Sequence, residues 1–149
     1  MNRHLYLRAY MAGIAVPTAF LVVPLTVFCI ARFALQIPIP IERTLIFPMA
    51  LVPNIYGAWN ILYVGALQRH NWPIGVHGAL LPFLLAPLGF LLATHLGFVT
   101  AEPHGIAYFG TVHFAFSHIA MVFPIGVGAY YLVWKYIVSF LNRVLEIGQ

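Results

Sequence analysis

Five of the seven histidines in this 149-residue chain fall between His77 and His118, in or beside two long apolar stretches. Imidazole binds metals and carries protons near neutral pH, and a polar group in hydrocarbon is costly. The segment from residue 95 to 113 offers His95, Glu102, His104 and His113 within a short hairpin that Gly97 and Gly105 leave free to fold tightly. Three uses compete for this set. A haem b would be clasped by His95 and His113 from neighbouring helices. A transition metal such as zinc, iron or copper would take His95, His104, His113 and the Glu102 carboxylate. A quinone or proton pathway would use His118 as a relay inside the membrane.

No spacing among these residues is diagnostic. The chain has no His-Glu-x-x-His run, and His113 and His118 stand five apart, about 140° around a helix, so they do not share one ligand. Packing roles stand beside the chemical ones. His4, His70 and His104 read as solvated, and His77 and His95 as headgroup-level residues at opposite ends of one span. His113 and His118 read equally as interhelical donors to Ser117, Thr111 or a facing carbonyl.

A second polar surface is written into the preceding apolar stretch. Pro53, Tyr56, Asn60 and Tyr63 recur at spacings of 3, 4 and 3, which puts them on one helical face. Tyr56 and Asn60 on that face suit either a bound quinone or porphyrin edge or hydrogen bonds to another helix. Asn54, directly after Pro53, is placed to serve the backbone that proline disturbs.

Other chemistry is missing. There is no glycine-rich phosphate loop and no Ser–His–Asp arrangement on plausible elements. Glu42, Glu102 and Glu146 lie in three separate segments, and Cys29 is the only cysteine, which excludes intrachain disulfides and cysteine-based metal sites. So little ionisable equipment points away from an enzyme.

The elements that must carry these residues are membrane helices. The chain is 62% hydrophobic and 7% charged, with a mean hydropathy of +0.93, whereas a soluble domain carries roughly 25% charged residues. The net charge of +4 comes from scattered basic residues and is no nucleic-acid footprint. A span needs about 20 apolar residues, and four segments qualify: near 10–35, 44–67, 76–99 and 106–134. The connections between them hold Pro38 and Pro40, Pro73, and Pro103.

The expected fold is therefore an all-α, single-domain bundle of four transmembrane helices. Pro17, Pro24, Pro48, Pro53, Pro82, Pro87 and Pro124 would kink it. Arg3, Arg8, Arg69, Lys135 and Arg143 share one side against Arg32 and Arg43 on the other, which predicts both termini in the cytoplasm. Running the last span through residues 135–149 would give a helix near 60 Å, so this tail is expected to form a short interfacial amphipathic helix or one held by a partner.

The function expected is that of a non-catalytic subunit or binding module of a larger membrane complex, with redox complexes included. Its partners would be the bilayer and other membrane subunits, or further copies of the chain. The alternatives are a stand-alone bis-histidine haem or metal redox protein, and a small oligomeric transporter or channel lined by Asn60 and His118.

Overall fold

The computed structural model describes residues 4–38, 47–110 and 112–147. Glu42, Arg43 and Pro40 of the first connection, Thr111 and Arg3 lie outside the described residues. The chain is mostly helical. Helix α1 spans Leu5–Cys29 and continues through a π-helical stretch, Ile30–Ala34. Helix α2 spans Phe47–Gly65, followed by a 3-10 turn at Leu67–His70. Helix α3 spans Ile74–His95, and helix α4 spans Phe116–Leu132. A π-helical stretch, Val133–Val138, then leads into α5, Ser139–Val144. Among the described residues three helical runs are long and apolar enough to cross a membrane: Leu5–Ala34, Ile74–His95 and Phe116–Val144.

The expectation of an all-α fold fails between α3 and α4. Three strands, β1 (Val99–Glu102), β2 (Gly105–Tyr108) and β3 (Val112–Ala115), form an antiparallel sheet in the order β1-β2-β3. The third helix therefore ends at His95 rather than near residue 99, and the fourth begins at Phe116 rather than at Ile106. The period-2 alternation in Val-Thr-Ala-Glu, Gly-Ile-Ala-Tyr and Val-His-Phe-Ala is a strand signal. It was hidden by the apolar content that a membrane reading looks for. The last helical run, Phe116–Val144, has 29 residues and measures about 43 Å, with α5 following α4 through a change of winding.

The fold divides into two compact units, residues 1–72 with 136–149, and residues 73–135. In the first, α1 and α2 cross on small residues. Helix α1 buries Ala9, Ala12, Gly13 and Pro17, and α2 buries Pro53, Tyr56, Gly57 and Asn60. A Cβ on Gly13 would stand 2.6 Å from the Tyr56 carbonyl oxygen and 2.8 Å from the Gly57 Cα. Backbone meets backbone there, as small residues allow in membrane bundles. Tyr10 donates its hydroxyl proton to Asn54 Oδ1, and Asn54 Nδ2 donates to the Ala50 carbonyl, one turn back.

The amide of Asn60 ties three helices of this unit together. Its Nδ2 donates to the Ala9 carbonyl at 2.7 Å and to Asn142 Oδ1 at 2.9 Å, while Asn142 Nδ2 returns a bond to Asn60 Oδ1 at 3.2 Å. Asn142 belongs to α5, which ends in a Schellman motif. Ile147 N–H bonds the Asn142 carbonyl at 2.8 Å and Glu146 N–H bonds the Arg143 carbonyl at 3.0 Å. That turn drops Ile147 onto Ala9 and Ala12 of α1. Arg8 closes the same end, donating from Nη1 to the Leu145 carbonyl at 3.1 Å, with Glu146 at 3.7 Å.

The second unit pairs α3 with α4. Gly75 lies against the Tyr131 ring and Gly78 against the Trp134 side chain, where a Cβ would collide with the indole. Phe83 and Phe123 meet edge to face at 5.1 Å. Leu81, Trp134 and His77 are fully buried. His77 is packed within the protein rather than exposed. It sits in the first turn of α3, between Gly75 and Gly78, where the chain leaves room for close packing.

Two stability measurements follow. Asn60→Leu and Asn142→Leu should each cost about 1–2 kcal/mol, because each strands the partner amide. The double variant should cost less than their sum by about 0.6–1.7 kcal/mol in a denaturant titration in micelles. Additive losses would mean that the two amides act independently. Gly13→Ala should lower stability by about 1–3 kcal/mol. Gly89→Ala, which faces open space, should be neutral or gain up to about 1 kcal/mol. Equal thermal shifts in the two variants would contradict the close crossing.

Candidate functional site

The sheet gathers the polar groups of the second unit onto one face. Thr100 pairs with Ala107, which pairs with His113, and Glu102 pairs with Gly105, which pairs with Ala115. Alternation puts Thr100, Glu102, Gly105, Ala107, His113 and Ala115 on one side. Val99, Ala101, Ile106, Tyr108, Val112 and Phe114 fall on the other. The sheet is thus amphipathic, with one polar face and one apolar face.

Two small residues on the central strand let its neighbours meet over it. Gly105 and Ala107 are buried. Above them Glu102 on β1 and His113 on β3 reach across, and His113 Nδ1 donates to Glu102 Oε2 at 3.1 Å. A Cβ on Gly105 would collide with the Phe114 carbonyl and lie 3.1 Å from the Ala115 Cα. Only glycine lets β3 come this close.

A carboxylate oxygen accepts, so the contact places a proton on His113 Nδ1. A carboxylate-oriented imidazole of this kind can take a proton or act as one metal ligand. The pair lies at the surface, with 60% of the His113 side chain exposed and 39% of Glu102.

The connections around the sheet are set by local sequence. Helix α3 ends in a Schellman motif, with Phe98 N–H bonded to the Ala93 carbonyl and Gly97 N–H to the Thr94 carbonyl, both at 3.1 Å. Gly97 takes the left-handed conformation, φ +75°, that this turn requires. The β1–β2 turn is Pro103–His104, with proline and glycine where tight turns favour them. The His104 carbonyl accepts from the Phe116 N–H at 3.0 Å, which satisfies one of the orphan donors at the start of α4.

Beneath the apolar face lie Ala93, Phe98 and Val99, with Ile106, Tyr108 and Phe109 packed on them. Phe98 and Phe109 stack at 5.8 Å, and Tyr108 meets Phe109 edge-on at 4.7 Å. Burial pushes the Tyr108 phenol above its ordinary range, so it stays neutral and acts as an aromatic packing group.

The remaining candidates are dispersed. His95 is the exposed last residue of α3, and His104 is exposed in the β1–β2 turn. His113 belongs to a strand, not to a helix, and His118 is the third residue of α4, not a residue deep in a span. His118 borders an open groove of about 280 Å³ with Phe114, Ile119, Val122 and Phe123. Of His95, Glu102, His104 and His113, the structure brings together Glu102 and His113. Among the described residues no group of three or more His, Cys, Asp or Glu side chains converges as a metal site. Tyr56 and Asn60 are buried in the first unit, on the face the spacing predicted, and the Asn60 amide is occupied by Ala9 and Asn142.

Sequence reasoning did not single out Asn142. Its partner lies 82 positions earlier, and no local pattern reports such a pairing.

The tautomer of His113 is directly measurable. Nitrogen chemical shifts should show the Nδ1-protonated ring in the wild type and a shift toward the Nε2-protonated ring in Glu102→Ala. An Nε2-protonated ring in the wild type would contradict the pairing. Because the pair is exposed, losing it should cost no more than about 1 kcal/mol. Against protein-family models, curated proteins and solved structures the chain finds no match, which leaves its own geometry as the ground for a functional reading.

Proposed function

We propose that this chain is a four-span membrane protein that works as a non-catalytic subunit or binding module of a larger membrane assembly. The observation that carries the reading is the uncovered state of α4. None of its residues from Phe116 to Leu132 is buried, yet it carries Ser117, His118, Gly126 and Gly128. Gly126 and Gly128 have open space where a Cβ would stand. On a lipid-facing helix such glycines pack against nothing. In membrane bundles such residues sit where helix meets helix. A helix from another subunit, or from a second copy, would cover them.

Helix α2 supplies the fourth span. Asn54 and Asn60 lower its hydropathy, but both amides are bonded within the first unit, to Tyr10, Ala50, Ala9 and Asn142. A polar group satisfied inside the protein carries little of the usual insertion penalty. With four spans the basic residues favour both termini on the cytoplasmic side. The sheet and its Glu102–His113 pair then lie on the outer side. A single exposed carboxylate–imidazole pair, the grouping the sheet brings together, supports a binding or structural role.

Met121 and Ile125 are each 68% exposed on α4 and give the test. With Cys29→Ser as background, Met121→Cys and Ile125→Cys should crosslink in membranes to a product of defined mass, a second copy or a stoichiometric partner. Gly128→Leu should weaken that product. A chain that stays monomeric in mild detergent, with no crosslink at either position, would overturn the reading.

A further inference from the structure

We infer that the three-stranded sheet lies in the interfacial layer of the membrane, with its apolar face against acyl chains and its Glu102–His113 face toward water. The inference rests on the reading of α3 and α4 as membrane spans and adds a lipid-binding surface to it.

Chain length confines the sheet to the helix ends. Three residues separate His95 from Val99, a reach of about 10 Å, and none separates Ala115 from Phe116. Wherever α3 and α4 leave the hydrocarbon, the sheet is held within that distance of the same surface.

Packing fixes which face looks back toward the helices. The β1–β2 part of the apolar face rests through Val99, Ile106 and Tyr108 on Ala93 of α3 and on Phe98. The β3 part of that face has no such cover. Val112 is 47% exposed and Phe114 44%, and Phe114 runs into the groove lined by His118, Ile119, Val122 and Phe123. The open half of the apolar face is thus continuous with the apolar flank of a membrane-length helix. An acyl chain lying along α4 reaches both.

Backbone chemistry limits the depth. With the order β1-β2-β3, β1 and β3 each leave an outer row of N–H and C=O groups without a strand partner. Unpaired sheet edges are not tolerated in hydrocarbon, so the sheet belongs at headgroup level, where water and lipid polar groups reach the edges. The aromatic group of Phe98, Tyr108 and Phe109 suits the same depth, where tyrosine is enriched. On the opposite face the exposed Glu102–His113 pair needs water.

Fluorescence in reconstituted phosphatidylcholine vesicles tests the assignment. In a Cys29→Ser background, Val112→Cys and Phe114→Cys report the apolar face, and Thr100→Cys and His113→Cys the polar one. Each is labelled with an environment-sensitive dye. The first pair should emit to the blue and be quenched by lipids brominated near the headgroup. The second pair should emit to the red and be quenched by aqueous iodide.

Leu80→Cys and Leu84→Cys, exposed near the middle of α3 and off the α4 face assigned to a partner, should be quenched by lipids brominated deep in the chain. If these two controls fail, the spanning reading fails and the inference falls with it. If the controls succeed while the four sheet positions behave alike, the spans stand and the interfacial sheet is overturned. Blue emission at Val112 and Phe114 without lipid quenching would assign that face to a protein partner and also overturn it. Two positions on each face protect the result against one variant that fails to fold.

Discussion

The carboxamide of Asn60 is fully buried, and the first unit is organised by the need to satisfy it. An amide in an apolar interior costs several kcal/mol without partners. Here its Nδ2 serves Ala9 of α1 and Asn142 of α5, and its Oδ1 accepts from Asn142. Three helices far apart in sequence are fixed at one point. The other features of that unit are consistent with this anchor. Gly13 and Gly57 bring α1 and α2 close enough for an asparagine side chain to reach the opposing backbone. The Schellman turn after α5 then places Ile147 on Ala9 and Ala12, and Arg8 caps the last carbonyls.

The second unit meets the same requirement with backbone groups. A chain leaving an apolar helix must satisfy its free carbonyls and amides at once. After His95 it does so with a glycine turn, three short strands and a carbonyl from His104 that receives the first amide of α4. Both faces of the resulting sheet are used. One packs aromatic rings beneath it and the other carries the Glu102–His113 hydrogen bond over Gly105 and Ala107. That economy agrees with a chain that has three acidic residues in all, one of which is spent on this pair.

Taken together, the two units divide the work between internal satisfaction and external contact. Asn54, Asn60 and Asn142 are answered within the fold. Helix α4, by contrast, is left open along its length, with His118 and two glycines facing outward. The outward features are those that a membrane partner would meet, and the inward ones are those that keep the chain folded before it does. This division is the ground of the proposed assembly role.

Much of this was legible in the sequence, and the reasons differ by element. Length and apolarity alone mark the runs that begin at Leu5 and Ile74, because hydrocarbon solubility is a property of composition. The shared face of Pro53, Tyr56 and Asn60 follows from helical periodicity, a local rule. The segment from 99 to 115 was misread because Val, Ile, Phe and Tyr serve a strand and a membrane span equally well. Only the pairing of Val99 with Tyr108 and of Tyr108 with Val112 decides for the sheet. Composition and periodicity thus determined that this chain is built of apolar helices and which face α2 would bury. Tertiary structure alone decided that Asn60 meets Asn142, that Glu102 meets His113 and that His77 is buried. Those outcomes depend on which distant segments touch, and no local spacing encodes a contact across 82 residues.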